Sequence, residues 1–218
     1  MTYKEILHNK EVRAYLEKGN EILGTMGYTD HGVAHCALVA ERAAHILRQF
    51  GEKDDVVELA RIAGFMHDIG NAVNRKHHAE YGALLADRIL CGEKMSMSDR
   101  VEVVSCIGCH DEKEGGAFDR ISAALIIADK TDVRRSRVRN VDKLDSRIHD
   151  RVNWAVKKAR LKVDTDKKQI VLKLTIDEDI CSMCDYFEIF LKRMLMCRKA
   201  SEFFESKFKL VANGSKVL

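Results

Sequence analysis

The chain has 218 residues, 46% of them hydrophobic, enough to bury one sizeable core and to exclude a disordered polymer. Its 37 basic and 34 acidic side chains leave a formal charge of +3, too near balance to mark a nucleic-acid binder or a protein of acidic membrane surfaces. Seven cysteines scattered through apolar stretches fit reduced thiols, and the charge-rich N-terminus has neither a signal-peptide core nor the roughly 18 apolar residues of a membrane span, so a cytoplasmic protein is expected.

There is no proline, and over the first three quarters apolar residues recur at helical spacing between short Gly, Asp and Asn clusters. A first helix is expected near 3–18, ending before Gly19. A second is announced by "YTDHG", where Thr29 or Asp30 can cap it, with a stripe through Val33, Ala37, Leu38, Ala44 and Leu47 to Gly51. Asp54 or Asp55 opens a third, "VVELARIAGFMHDIG", ending at Gly70. Further helices are expected over 79–90, over 99–109 behind a Ser cap, and from Asp119 through "ISAALIIADKTDVRRSR". After about residue 160, "LKVDTDKKQIVLKLTID" alternates apolar and polar and predicts a β-hairpin. A last amphipathic helix, Ile180 to about Phe208, is expected to bury Met183, Phe187, Phe190, Leu191, Met194 and Leu195. The expected class is all-α: a helical bundle over 1–150 and a C-terminal extension, 151–218, of hairpin and long helix packed on it.

Histidine and aspartate gather where these helices begin or end: His31 and His35, His67 with Asp68, His77 with His78, His110 with Asp111, and Asp129. "CIGCH", Cys106 to His110, has the Cys-x-x-Cys-His form of a c-type haem attachment. That linkage is made after export and nothing here directs export, so no haem is expected. Asp68 follows "LARIAGFM" and Asp129 follows "AALIIA". A carboxylate beside a core face costs several kcal/mol unless it finds a partner. Imidazole with carboxylate is a ligand set that Fe, Mn and Zn accept.

In the order His35, His67-Asp68, Asp129, the chain resembles the HD-domain metal-dependent phosphohydrolases, whose signature is H…HD…D, over roughly residues 25–140. "HHAEYGA" adds the His-x-x-x-Gly of members with two metals, and "CHDEKEGG" their next His. The chain thus looks like the binuclear subclass, related to HD-GYP proteins and symmetrical dinucleoside-tetraphosphate hydrolases. The resemblance implies an HD-type helical bundle in which His35, His67 and Asp129 hold one divalent ion, His78 and His110 a second, and Asp68 bridges both. Fe and Mn are the ions it implies, with a shared hydroxide attacking phosphorus in line. The spacing to Gly82 selects His78 over His77. Asp111 and Glu80 are candidate hydrogen-bond partners behind the imidazoles. HD-GYP proteins carry Lys after "HDIG" and a Gly-Tyr-Pro loop; here Asn71 and "EKEGGAFD" stand there, so their substrate does not carry over.

Lys130 and Arg134 fall one helical turn apart and, with Arg135, form the expected phosphate-binding group. Arg135 also matches the Arg that the tetraphosphate hydrolases place after the signature Asp. His31, read as sharing a helical face with His35, is a candidate for substrate contact or proton donation, with a helix-start hydrogen bond as the alternative. Asp68, Lys130 and His31 are the catalytic candidates. Arg137 and Arg139 read as solvated, and His8, His45 and His149 as surface residues. The expected activity is hydrolysis of a phosphoester or phosphoanhydride in a small phosphate-bearing molecule, a nucleotide foremost. Two alternatives keep the ligands, a mixed-valent di-iron oxygenase of the same fold and a non-catalytic sensor. Cys181 and Cys184 read as packing, because no second pair completes a zinc site. The hairpin is open to three roles: a lid, a contact in a homodimer, or a brace.

Overall fold

The computed structural model describes residues 1–142 and 148–217. Thr2 and Glu5 form a capping box that starts α1 (Tyr3–His8). Asn9 ends α1 and caps α2 (Lys10–Thr25), its side chain accepting from the amides of Glu11 and Val12. One expected helix is therefore two, and Gly19 does not stop the second. Its missing side chain instead lets α2 lie against the backbone at Ala72, where a Cβ would stand 3.0 Å from the amide nitrogen.

α3 (Val33–Gln49) buries His35, Cys36, Val39, Ala40, Ala43 and Leu47, a face turned from the expected stripe, with Ala37 and Leu38 only half-buried. Neither Thr29 nor Asp30 caps it; Gly32 is the first-turn boundary, and Asp30 accepts from the Gly32 amide. α4 (Asp54–Met66) stops before the expected Gly70, leaving His67 and Asp68 in the turn that leads to a 3-10 segment, Ile69–Ala72. α5 (His78–Gly92) packs on that segment closely enough that a Cβ on Gly70 would meet the His78 carbonyl oxygen at 2.0 Å. Ser96 caps α6 (Met97–Gly108), and an Asp119–Ser122 capping box starts α7 (Arg120–Lys130). α7 is apolar almost all round, as a helix packed against α3, α4, α6 and the last helix must be.

α8 (Ile148–Ala155) leads into the expected hairpin, β1 (Val156–Asp164) antiparallel to β2 (Gln169–Ile176). α9 (Met183–Ser201) then crosses over and returns the chain as β3 (Lys207–Ala212), parallel to β2, followed by β4 (Ser215–Lys216). The fold is mostly helical with a four-stranded C-terminal sheet, ordered β1-β2-β3-β4, so "all-α" holds only approximately. The expected helix to Phe208 overran a strand whose alternation is plain, Phe208, Leu210 and Ala212 buried between Lys207, Lys209 and Val211. Asn213 and Gly214, both with positive φ, turn it into β4. α9 buries Tyr186, Phe190, Met194 and Cys197, whereas Leu191 is 43% exposed, so its inner face is rotated from the expected one. The apolar core runs continuously from Tyr3 to Ala212. No helix among the described residues is long and apolar enough to cross a membrane.

Candidate metal centre

His35 projects from the first turn of α3, His67 and Asp68 from the turn after α4, His78 from the start of α5, His110 from just past α6, and Asp129 from the last turn of α7. The structure brings these six together in the core, with the four imidazoles at most 3% exposed. His35 Nε2 lies 3.3 Å from Asp129 Oδ1 and 3.8 Å from Asp68 Oδ2; His67 Nε2 lies 3.4 Å from Asp68 Oδ2. His78 Nε2 is 3.7 Å from Asp68 Oδ1 and 3.2 Å from His110 Nε2. Three groupings present donor atoms within 4.8 Å of one another: His35, His67 and Asp129; Asp68, His78 and His110; and Cys36, His67 and Asp68. His77, by contrast, is exposed and pairs with Glu80.

The four rings share one orientation. His35 Nδ1 donates to Asp132 Oδ2 at 2.8 Å, and the Nδ1 atoms of His67, His78 and His110 donate to the carbonyls of Gly64, Arg75 and Ile107 at 2.8, 3.1 and 2.6 Å. An oxygen with no hydrogen can only accept, so each Nδ1 carries a proton and each Nε2 faces inward. Asp111 and Glu80, the expected outer partners, do not serve; the carboxylate that does is Asp132. Asp132 is fully buried and held by two hydrogen bonds from Arg134, at 2.5 and 2.9 Å, while Arg137 donates to its backbone carbonyl. Asn71 aims Asp68, donating to its Oδ1 at 2.7 Å.

Protonation states follow from the surroundings. Burial holds His31, His78 and His110 below the ordinary imidazole range. Burial also opposes charge on Asp68 and Asp129, but His67 beside the first and Lys130 beside the second outweigh it and keep both carboxyls well below their usual range. Asp68 in turn raises His67 against its own desolvation, making a buried ion pair where a cation's charge would otherwise stand. His35 Nε2, His67 Nε2 and Asp68 Oδ2 are buried without a hydrogen-bond partner, although unpartnered buried polar atoms are costly. Ionised carboxylates, inward-facing imidazole nitrogens and unpartnered buried polar atoms together form a set of residues that fits a divalent cation, which would take the place of any proton on the inward nitrogens.

Several expected substrate residues stand elsewhere. α7 ends at Lys130, so Arg134 shares no helical face with it. Arg134 is committed to Asp132, and the Arg135 guanidinium lies 4.7 Å over the Trp154 ring. Lys130 is 4% exposed and bound to Asp129 at 2.6 Å and Glu112 at 3.0 Å; burial opposes its charge, yet those two carboxylates carry its pKa upward. Arg137, expected to be solvated, is buried and donates to the Asp30 carbonyl, whereas Arg139 is exposed and binds the Tyr28 carbonyl. His31 precedes α3, and its Nδ1 donates to the Thr29 carbonyl at 2.7 Å, which leaves an acceptor at Nε2.

A cavity of about 390 Å³ leads to the cluster, walled by Tyr28, Arg75, His149, Asn153, Phe190 and Arg193, with a small inner chamber bounded by Asp68, His78, His110 and Asp129. Its volume falls at the low end of small-molecule sites, about 300–1,000 Å³. Of these wall residues, sequence reasoning gave a place to Phe190, as core, and to His149, as surface, and the structure has the first buried and the second exposed; an Arg on an amphipathic helix carries no mark that separates a cavity wall from a solvated face. Cys181 is buried, Cys184 is exposed, and neither joins a metal-capable group among the described residues.

Residues 32–147 match the HD domain. An uncharacterized protein of Methanocaldococcus jannaschii is 28% identical, the alignment covering 82% of this chain and 77% of that protein.

Proposed function

The chain belongs to the HD domain family, and on that premise we propose that it is a metal-dependent hydrolase of a phosphoester or phosphoanhydride bond in a small molecule, a nucleotide foremost. In this reading His35, His67 and Asp129 would hold one divalent cation, Fe or Mn, His78 and His110 would hold a second, and Asp68 would serve both. The observation that carries it is the shared orientation of four buried imidazoles, each Nδ1 tied to an acceptor and each Nε2 turned into the cluster around Asp68. Bound cations would supply charge for the phosphoryl oxygens and acidify water at neutral pH.

The chain's own groups do the rest. Lys130 locks Asp129 Oδ2, leaving Oδ1 toward His35 and His67, and Asn71 fixes Asp68. Lys130 is therefore a positioning residue in this reading. His31, neutral and with its Nδ1 proton tied to Thr29, offers Nε2 as an acceptor to an incoming substrate hydroxyl or to water.

The test is metal analysis beside an anaerobic assay against nucleotides and other phosphoesters. About two Fe or Mn per chain are expected, as a two-metal site requires, and Asp68→Ala is expected to lose metal and turnover together. Metal-independent turnover in that variant would sink the proposal, and turnover that strictly requires oxygen would put an oxygenase in its place.

A further inference from the structure

We propose, on the reading that the cluster acts on a phosphate ester, that Arg75 and Arg193 take the substrate's phosphate, so that α9 helps decide which substrates are accepted. Both side chains line the large cavity and the inner chamber alike, which places them between solvent and the His/Asp cluster. Each lies against an aromatic ring, with the Arg75 Cζ 5.3 Å from the centre of Tyr28 and the Arg193 Cζ 5.1 Å from that of Phe190. Stacking of this kind fixes the plane of a guanidinium without using its N–H donors. Arg75 gives one hydrogen bond to Asn71 Oδ1, at 3.1 Å, and Arg193 Nε stands 3.5 Å from Glu112 Oε1. The forks are thus oriented with donors in reserve, the condition for bidentate capture of a phosphate.

The cations that sequence reasoning favoured are already used. Lys130 neutralises Asp129 and Glu112, Arg134 serves Asp132, and Arg135 lies on Trp154. Tyr28 is 39% exposed and lines the same cavity, so beyond supporting Arg75 it offers a flat apolar surface to whatever group the phosphate carries. Tyr28, Phe190 and Arg193 all lie outside residues 32–147, the span that matches the HD domain. The reactive cluster comes from the shared span, and part of the wall around its approach comes from segments beyond it.

The holoprotein as purified, its metal content recorded, is titrated by calorimetry with methylphosphonate and with phenylphosphonate, phosphate mimics that resist hydrolysis. Arg75→Gln and Arg193→Gln are each expected to weaken both ligands about tenfold to a hundredfold, the loss typical of a charge-assisted pair. Arg193→Lys is expected to recover only part, because a point charge does not replace a fork. Tyr28→Leu is expected to abolish the preference for phenylphosphonate, and Arg160→Gln, on the exposed sheet, to change nothing. Wild-type affinity in both glutamine variants at unchanged metal content would overturn the proposal, as would an equal loss in Arg160→Gln. No turnover is involved, so phosphonate binding that depends on both arginines in a protein inert toward phosphoesters would refute the hydrolase and leave the anion grip standing.

Discussion

The two halves of the cluster differ in what stands behind their imidazoles. His35 and His67 are sealed, neither reaching the chamber or the cavity, and His35 is backed by the carboxylate of Asp132, which Arg134 holds in place. His78 and His110 are backed by main-chain carbonyls only and line the chamber. A carboxylate behind an imidazole makes it a more basic ligand than a carbonyl does. On the proposed hydrolase reading, the sealed half would retain its cation and the open half would present one to substrate, with Asp68 shared.

The sharpest way to break that contrast is His110→Ala. It is expected to abolish turnover while the sealed half keeps its cation, read by metal analysis after gel filtration; loss of all metal would show that the halves do not bind separately. Gly70→Ala comes next. Its Cβ would stand 2.0 Å from the His78 carbonyl oxygen and 2.4 Å from the Gly82 amide nitrogen, so α5 must move, at a cost of about 1–3 kcal/mol, the range for overpacking. A lower melting temperature with selective weakening of the open half is the expected outcome; wild-type stability and metal content would mean that α5 yields without disturbing His78. The smallest effect belongs to Asp132→Asn, expected to lower sealed-half affinity about 10–100-fold in chelator competition, the range for such outer partners, and to leave the open half unchanged. An equal weakening of both halves would remove the distinction drawn from Asp132.

Much of this cluster was legible because its residues stand at helix ends, where polar residues interrupt an apolar period and mark themselves. The choice of His78 over His77 followed the spacing to Gly82, and the structure puts His78 in the core and His77 in solvent. Legibility failed where tertiary contacts decide. The helix expected to continue through "TDVRRSR" ends at Lys130, and Asp132 turns instead to His35, a partner 97 residues away that local periodicity does not encode. Arg75 and Arg193 were missed for the same reason, since what distinguishes them is the ring each lies on. β3 is a different failure: its alternation and the Asn213-Gly214 turn were readable, but the apolar run of α9 absorbed them.

α9 is threaded between β2 and β3, neighbours in the sheet that lie in parallel register, with Gln169 opposite Lys207. Parallel neighbours need a crossover connection of this kind, and here the crossover is the helix that carries Arg193. The six residues of the cluster all precede Lys130, whereas Arg193 lies in the crossover, held by the β2–β3 pairing at both ends. Fraying of the β2–β3 pair is therefore expected to loosen phosphonate binding before it releases metal, so that a partly frayed chain would keep its metal-capable cluster and lose discrimination over what reaches it.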